Sequence, residues 1–375
     1  MLTTNKKSGS FEKCVEWLTN SGIQSFVGGF YSWFDLSNSN YPYLYSEITG
    51  YGITTLLFLE TIFHNENLVV KAEKAAEWIV KKALHPCGGV LTRFYSDEKN
   101  ADKVYSFGGV NIFSFDTGMV LYGAAALYKR TGKDEYLKLS RGLADFLLKK
   151  MFKSNGSIAP VYNAVAGKCV EAEDKWSSQS GAFHAKVAMG LVLSAEITGE
   201  KKYLDAALGL CEFALLNQDP TGRFITDRAS KTTHLHPHSY TAEGLWYVGI
   251  ERGIAKFTEA ALKAAKWAQS KVSVSGVNEL YDPKTDSFND FQRTDILAQT
   301  LRLGLIFSLK DKTEMLKACL LSYQYGGEML DQRGGFAYSK ESPHLNSWCS
   351  MFSLQALALC DDRNLLFAKG GSLLI

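Results

Sequence analysis

Residues Lys71–Val90 read KAEKAAEWIVKKALHPCGGV. Lys and Glu fall on one face of the helical period, with Ala, Trp78 and Ile79 on the other. The segment is therefore an amphipathic helix, ended by a turn at Gly88-Gly89. The pairing of an aromatic with a glycine turn recurs along the whole chain. CVEWLTNSG, LADFLLKKM, CEFALLNQ, AAKWAQSKV and ACLLSYQYG place Trp17, Phe146, Phe213, Trp267 and Tyr323 where Trp78 stands. Gly28-Gly29, Gly156, Gly222, Gly276 and Gly334-Gly335 follow these anchors about 9 to 12 residues later.

After each turn comes a loop and then a second helical stretch that is small, apolar and nearly uncharged: ITGYGITTLLFLETIF, FDTGMVLYGAAALY, SGAFHAKVAMGLVLSAEI, YTAEGLWYVGI, DILAQTLRLGLIFSL and NSWCSMFSLQALAL. Helices apolar on nearly all sides are buried, and amphipathic ones stand outside them. Six of each kind, repeating every 54 to 68 residues, satisfy both patterns by closing into a double ring. The expected fold is all-α: an (α/α)6 toroid occupying residues 1–375 as one domain, with short β-like loops at one end. An open solenoid would need polar terminal units, and none is evident. An α/β barrel would show short β-branched runs where these segments hold Ala, Gly, Met and Leu. Thr131-Gly132 before Tyr136-Leu137 and Thr198-Gly199 before Tyr203-Leu204 supply matching helix stops between inner and outer helices.

Lys plus Arg number 41 against 39 Asp plus Glu, so no global field attracts nucleic acid or an anionic membrane. The N-terminal MLTTNKKSGSFEKCVEW lacks the apolar stretch of a signal peptide, and nowhere do 18 apolar residues run together. The seven cysteines are scattered and never spaced C-x-x-C, which reads as reduced thiols. The expectation is a cytoplasmic protein with no membrane insertion and no cofactor.

In such a ring the inner helices run parallel, and their N-termini and preceding loops meet at one end. Four carboxylates sit on these otherwise uncharged helices: Glu47, Asp116, Glu243 and Asp295. Burying a charge without a partner is costly, so each needs a reason. With helix one facing helix four and helix two facing helix five, Glu47/Glu243 and Asp116/Asp295 are expected to face each other across the cleft. Paired carboxyls flanking a sugar are what glycosidic cleavage requires. Tyr45, Tyr51, Gln179, His184, His238, Tyr240, Arg293, Gln299 and Trp348 are the expected substrate-binding side chains. Structural readings compete: Asp116 as a helix N-cap, Asp295 paired with Arg293 or Arg302, Glu47 bonded to a neighbouring helix terminus, His184 as a satisfied core histidine and Lys186 as a carboxylate partner. The run His234-Leu235-His236-Pro237-His238 invites a metal reading, but no Cys or H-E-x-x-H completes a site. No metal is expected.

The repeat, the TG-x3-YL links and the segments SFDTG, HPHSYTAEGL, RTDILAQTLRLG and LNSWCSMFSLQAL resemble the six-hairpin glycosidase superfamily. Within it the chain is most similar to a branch found among polysaccharide-biosynthesis proteins. The resemblance implies a carbohydrate substrate and extends to glycoside hydrolases, unsaturated glucuronyl hydrolases, 2-epimerases and polysaccharide lyases. Glycoside hydrolysis by Asp116, Glu243, Asp295 and Glu47 is the leading expectation. An epimerase in which His238 and His184 exchange protons is the alternative, and a non-catalytic glycan-binding protein the third reading. The sixth inner helix opens with Asn346-Ser347-Trp348 where the epimerases carry a histidine, and Gln179 stands where glucuronyl hydrolases carry a second aspartate.

Overall fold

The structure is a computed structural model describing residues 9–95, 110–172, 175–367 and 373–375. These residues form twelve α-helices that alternate outer and inner along the chain. The hairpins are α1 (Gly9–Asn20) with α2 (Ser46–Phe63), α3 (Glu66–Trp78) with α4 (Ser114–Thr131), and α5 (Asp134–Phe146) with α6 (Val187–Thr198), the last led by a 3-10 turn at Ala182–Lys186. Then come α7 (Lys201–Leu215) with α8 (Leu235–Arg252), α9 (Ala255–Ser270) with α10 (Thr294–Ile306), and α11 (Thr313–Leu321) with α12 (Ser347–Asp361). Each even-numbered helix packs on the next, and α12 packs on α2, so the inner ring closes. The expected (α/α)6 toroid is the fold.

The inner helices are buried along most of their length, with every residue of α8 from Leu235 to Gly249 shielded from solvent. Small residues let them approach closely. A Cβ added at Gly244 would lie 2.2 Å from the backbone of Ala185. Thr131 and Thr198 bond back to Leu127 O and Ser194 O at 2.8 and 2.6 Å, and Gly132 and Gly199 take the left-handed C-cap that turns the chain outward.

The aromatic anchors meet the glycine turns across unit boundaries rather than within a unit. The ring of Trp78 lies where a Cβ on Gly29 would be, at 2.6 Å; Phe146 covers Gly89 in the same way, and Trp17 covers Gly335. Four residues before Trp78 and Trp17, the outer-helix backbone meets the first turn residue: Lys74 O at Gly28 and Lys13 O at Gly334. Gln24, Gln218 and Gln324 each donate from Nε2 to a turn carbonyl (Gly28, Gly222, Gly334) and to the next outer helix (Lys71, Ala260, Ser10), at 2.7–3.1 Å. The turns of units three, four and five depart from the pattern: Ser157, Arg223 and Val277 replace the second glycine, Phe213 is only half-buried, and the Trp267 ring packs tilted against His238 with centroids 5.0 Å apart.

Among the described residues ten short strands gather at the end where the inner helices begin, as expected of the loops there. They are β1 (Trp33–Asp35), β2 (Tyr43–Tyr45), β3 (Arg93–Tyr95), β4 (Asn111–Phe113), β5 (Val161–Asn163), β6 (Lys168–Val170), β7 (Thr233–His234), β8 (Leu280–Asp282), β9 (Ser287–Phe288) and β10 (His344–Asn346). All pair antiparallel, β1 with β10, β2 with β3, β4–β5–β6 and β7–β8–β9. Because β1 pairs with β10, this layer also joins the first unit to the last.

Removing the Trp17 ring from its fully buried seat by Trp17→Ala should cost about 3–5 kcal/mol in urea denaturation. Gly335→Ala, whose new Cβ would sit 2.7 Å from that ring, should cost about 1–3 kcal/mol by overpacking. Changes below about 0.5 kcal/mol would mean that ring closure does not rest on this contact.

Candidate active site

Strands β2, β4, β7 and β10 each run directly into an inner helix, which fixes where the first side chains of those helices point. Glu47 is the second residue of α2 and Asp116 the third of α4. The N-cap of α4 is Phe113, so Asp116 is not a cap. Both carboxylates line a cleft of about 160 Å³ with Tyr45, Arg93, Phe115, Trp176, Phe183, His184, His236, Tyr240, Arg293 and Trp348. Arg93 is the register partner of Tyr45 across β2–β3, and its guanidinium lies 4.9 and 5.1 Å from the rings of Tyr43 and Tyr45.

Glu47 and Asp116 are neighbours. Burial, and then the charge of Asp116, push the Glu47 carboxyl up to about 8 against the opposing pull of Tyr45 and Arg93. Burial also lifts Asp116 to about 6, against the pull of the Thr92 hydroxyl and then of Arg93. Asp116 Oδ2 is buried without a hydrogen-bond partner among the described residues. An acceptor left unsatisfied at the floor of a cleft is available to a ligand.

Glu243 and Asp295 differ from that pair, and the cross-ring pairs Glu47/Glu243 and Asp116/Asp295 do not form. Glu243 is fully buried and does not line the cleft: Lys186 Nζ donates to its Oε2 at 2.6 Å and Arg302 forms a second ion pair. Burial would raise its pKa, but the charges of Arg302 and Lys186 prevail and hold it below the ordinary range. Arg302 is the partner that the sequence offered to Asp295. Asp295 instead takes a fork from Arg293 (3.1 and 2.5 Å) and a bond from Trp348 Nε1 (3.0 Å), and lies 3.3 Å from His236 Nδ1. Burial opposes its ionisation, but Arg293 and His236 bring its pKa down to about 2. Arg293 also reaches Glu279 at 2.9 Å.

The other expected binding residues divide. Tyr45, His184, Tyr240, Arg293 and Trp348 line the cleft. Tyr51 and Gln299 lie buried away from it, Tyr51 with Lys186 Nζ 5.5 Å from its ring and Gln299 against Glu243. Gln179 is a loop pin, donating to Asp227 at 2.9 Å and accepting from Arg228 N at 3.1 Å. His238 accepts from Phe224 N (3.1 Å) and donates to Ala264 O (3.2 Å), so both ring nitrogens are engaged in the backbone. His184 is engaged likewise, by Ser114 Oγ at 3.0 Å and Gly181 O at 3.1 Å, and burial lowers its pKa to about 3. The expected exchange of protons between His238 and His184 therefore has no free nitrogen to use. The three histidines of the H-x-H-x-H run point to different partners, His234 to Glu279 and His236 to Gln299. Among the described residues no group of three or more His, Cys, Asp or Glu side chains is placed to hold a metal ion.

Arg93, His236, Trp176, Phe115 and Phe183 were not singled out as cleft residues by the sequence. Arg93 stands alone in LTRFY, on a strand whose partner is about 50 residues away, so no local spacing marks it. His236 had a signal in its place on the opening turn of α8, but the metal reading obscured it.

The two kinds of carboxylate predict opposite effects on stability. The folded pKa of Glu47 lies above its ordinary 4.5, so folding is penalised increasingly as pH rises from about 4.5 to about 8. Glu47→Gln should therefore melt higher than wild type at pH 8–9, and the two should converge near pH 4. Glu243→Gln leaves Lys186 and Arg302 uncompensated and should lose about 3–5 kcal/mol at neutral pH. A Glu47→Gln protein less stable than wild type at every pH would make Glu47 a structural residue.

The sequence signature of glycosyl hydrolase family 76 matches residues 15–206, which hold both Glu47 and Asp116. No match is found among curated proteins. Similar solved structures include a D-mannose isomerase (12% identity, covering 94% of this chain and 96% of that one, TM-score 0.75) and a sugar epimerase from a ruminal bacterium (13%, 92% and 98%, 0.71). An unsaturated glucuronyl hydrolase from Bacillus sp. GL1 is similar at 14% identity, covering 94% and 97% of the two chains with a TM-score of 0.65. At these identities the structures share the toroid, while the signature spans just over half of the chain. The chain belongs to glycosyl hydrolase family 76 and is an enzyme acting on carbohydrate.

Proposed function

We propose that the protein hydrolyses a glycosidic bond with Glu47 as the proton donor and Asp116 as the carboxylate facing the anomeric carbon. The carrying observation is the neighbouring Glu47/Asp116 pair on the cleft floor, its members raised to about 8 and about 6. Near pH 7 that difference leaves Glu47 protonated and Asp116 ionised, the division of labour that glycoside cleavage needs. Glu47 passes its proton to the glycosidic oxygen as the C–O bond breaks. Asp116 supplies negative charge to the oxocarbenium-like transition state, and water delivers hydroxide to the anomeric carbon and a proton back to the carboxyl pair. The Thr92 hydroxyl and Arg93 keep Asp116 from rising further.

A cleft of about 160 Å³ is smaller than the roughly 300–1,000 Å³ that encloses a drug-sized ligand, which supports entry of one sugar residue at a time. Aromatic rings around it suit the apolar faces of a pyranose. We place the whole chain, as one catalytic domain, on an oligosaccharide intermediate of polysaccharide biosynthesis in the cytoplasm. Three features support that placement: the resemblance, the seven unpaired thiols, and the lack among the described residues of a helix long and apolar enough to cross a membrane.

On a panel of aryl glycosides and oligosaccharides, Glu47→Gln and Asp116→Asn should each lower kcat/KM by about 10²–10⁴ while the protein stays folded. Wild-type kcat/KM should follow a bell, rising as Asp116 deprotonates near pH 6 and falling as Glu47 deprotonates near pH 8. Folded variants that turn over a substrate as fast as wild type would overturn the assignment.

A further inference from the structure

His236 lines the cleft, and the groups against its Nδ1 decide what its other nitrogen can do. Its Nδ1 lies 2.8 Å from Gln299 Oε1 and 3.3 Å from Asp295 Oδ2. Asp295 is ionised by its fork from Arg293 and accepts only. Gln299 is oriented from its other end, where Nε2 faces both oxygens of Glu243 at 3.4 and 3.5 Å. Glu243, ionised between Lys186 and Arg302, also accepts only, so the amide must turn its NH₂ to Glu243 and its oxygen to His236. Reversing the amide would set two acceptors against each other in a buried site.

Two acceptors therefore face Nδ1, which must carry the ring proton. Nε2 is left with a lone pair, and among the described residues nothing bonds to it. The rings of Tyr240, with centroids 4.2 Å apart, and Trp176, at 6.1 Å, hold the imidazole in place. Burial lowers its pKa to about 4, so the ring is neutral across the working range. Water favours the opposite tautomer of histidine, so this one is imposed by the protein.

We propose that His236 Nε2 is an obligate hydrogen-bond acceptor for one hydroxyl of the bound sugar, and that Gln299 and Glu243 are positioning residues that fix its tautomer from the ion cluster beneath. This rests on the carbohydrate substrate read for the same cleft, but it assigns the binding contact rather than the cleavage step. A neutral acceptor selects for a hydroxyl donor and disfavours a sugar whose group at that position is deoxy or purely accepting.

The test is nitrogen NMR of the full chain carrying nitrogen-15-labelled histidine, with the His236 signals identified by their loss in His236→Phe. At pH 7 the expected pattern is protonated Nδ1 and bare Nε2. A panel of methyl pyranosides at millimolar concentration should shift Nε2 for at least one sugar. Gln299→Met removes the nearer of the two acceptors and leaves Asp295 at 3.3 Å, so it should raise the fraction of the Nε2–H tautomer and shrink that shift without erasing it. An Nε2–H tautomer in wild type, or no shift with a sugar that the enzyme hydrolyses, would overturn the proposal while leaving hydrolysis intact. An Nε2 shift in a protein that cleaves nothing would uphold it and overturn the hydrolase reading instead. With a turned-over substrate, one monodeoxy analogue should lose at least about tenfold in kcat/KM on wild type and nothing further on His236→Phe.

Discussion

The fold depends on one repeated contact, an outer-helix residue pressed onto the glycine turn of the unit before it. At Gly29, Gly89 and Gly335 a side chain would occupy the ring of the next anchor, so these three turns stay bare and the aromatic seals them. Gln324 and Trp17 make the contact between the last unit and the first, converting a row of hairpins into a ring. Closure is what gathers six inner-helix N-termini around one axis. With an open row, Glu47 and Trp348, 301 positions apart in the chain, would not line one cleft.

The ring also explains why its acids fall into two classes. Beneath the cleft, Glu243 is matched by Lys186 and Arg302, so its charge is stabilised where it stands. Asp295 is held likewise by Arg293. These acids are ionised, fixed and fully buried. On the cleft floor burial holds both Glu47 and Asp116 above their ordinary range, and the charge of Asp116 lifts Glu47 further against the pull of Tyr45 and Arg93. A protein that tolerates such a pair gives up stability for a proton held at the right place, a tension common at functional sites. Gln299 joins the buried cluster to the cleft, lying against Glu243 on one side and His236 on the other.

Most of the architecture was legible in the sequence because it repeats: six aromatic anchors, six glycine turns and six weakly charged inner segments admit few other arrangements. The sequence did not reveal that anchor and turn meet across units, because their constant separation along the chain mimics a local contact. The site was half legible. That carboxylates on uncharged helices needed a reason was readable from residue type alone, as was the gathering of helix starts at one end. Which carboxylates would be paired was not, because Lys186 and Arg302 come from different units, and only ring geometry places both against Glu243. The opposite-helix argument also assumed that side chains reach across the axis. Glu47 and Asp116 sit instead on adjacent helices, α2 and α4, which pack directly on each other.

The claim on which the rest stands is that Glu47 and Asp116 share one electrostatic environment at the cleft floor. Carbon-13 carboxyl NMR of wild type and Asp116→Asn measures it without any substrate. Glu47 should titrate near pH 8 in wild type and at lower pH once the Asp116 charge is gone. A Glu47 carboxyl that titrates near 4.5 and ignores the loss of Asp116 would contradict the account.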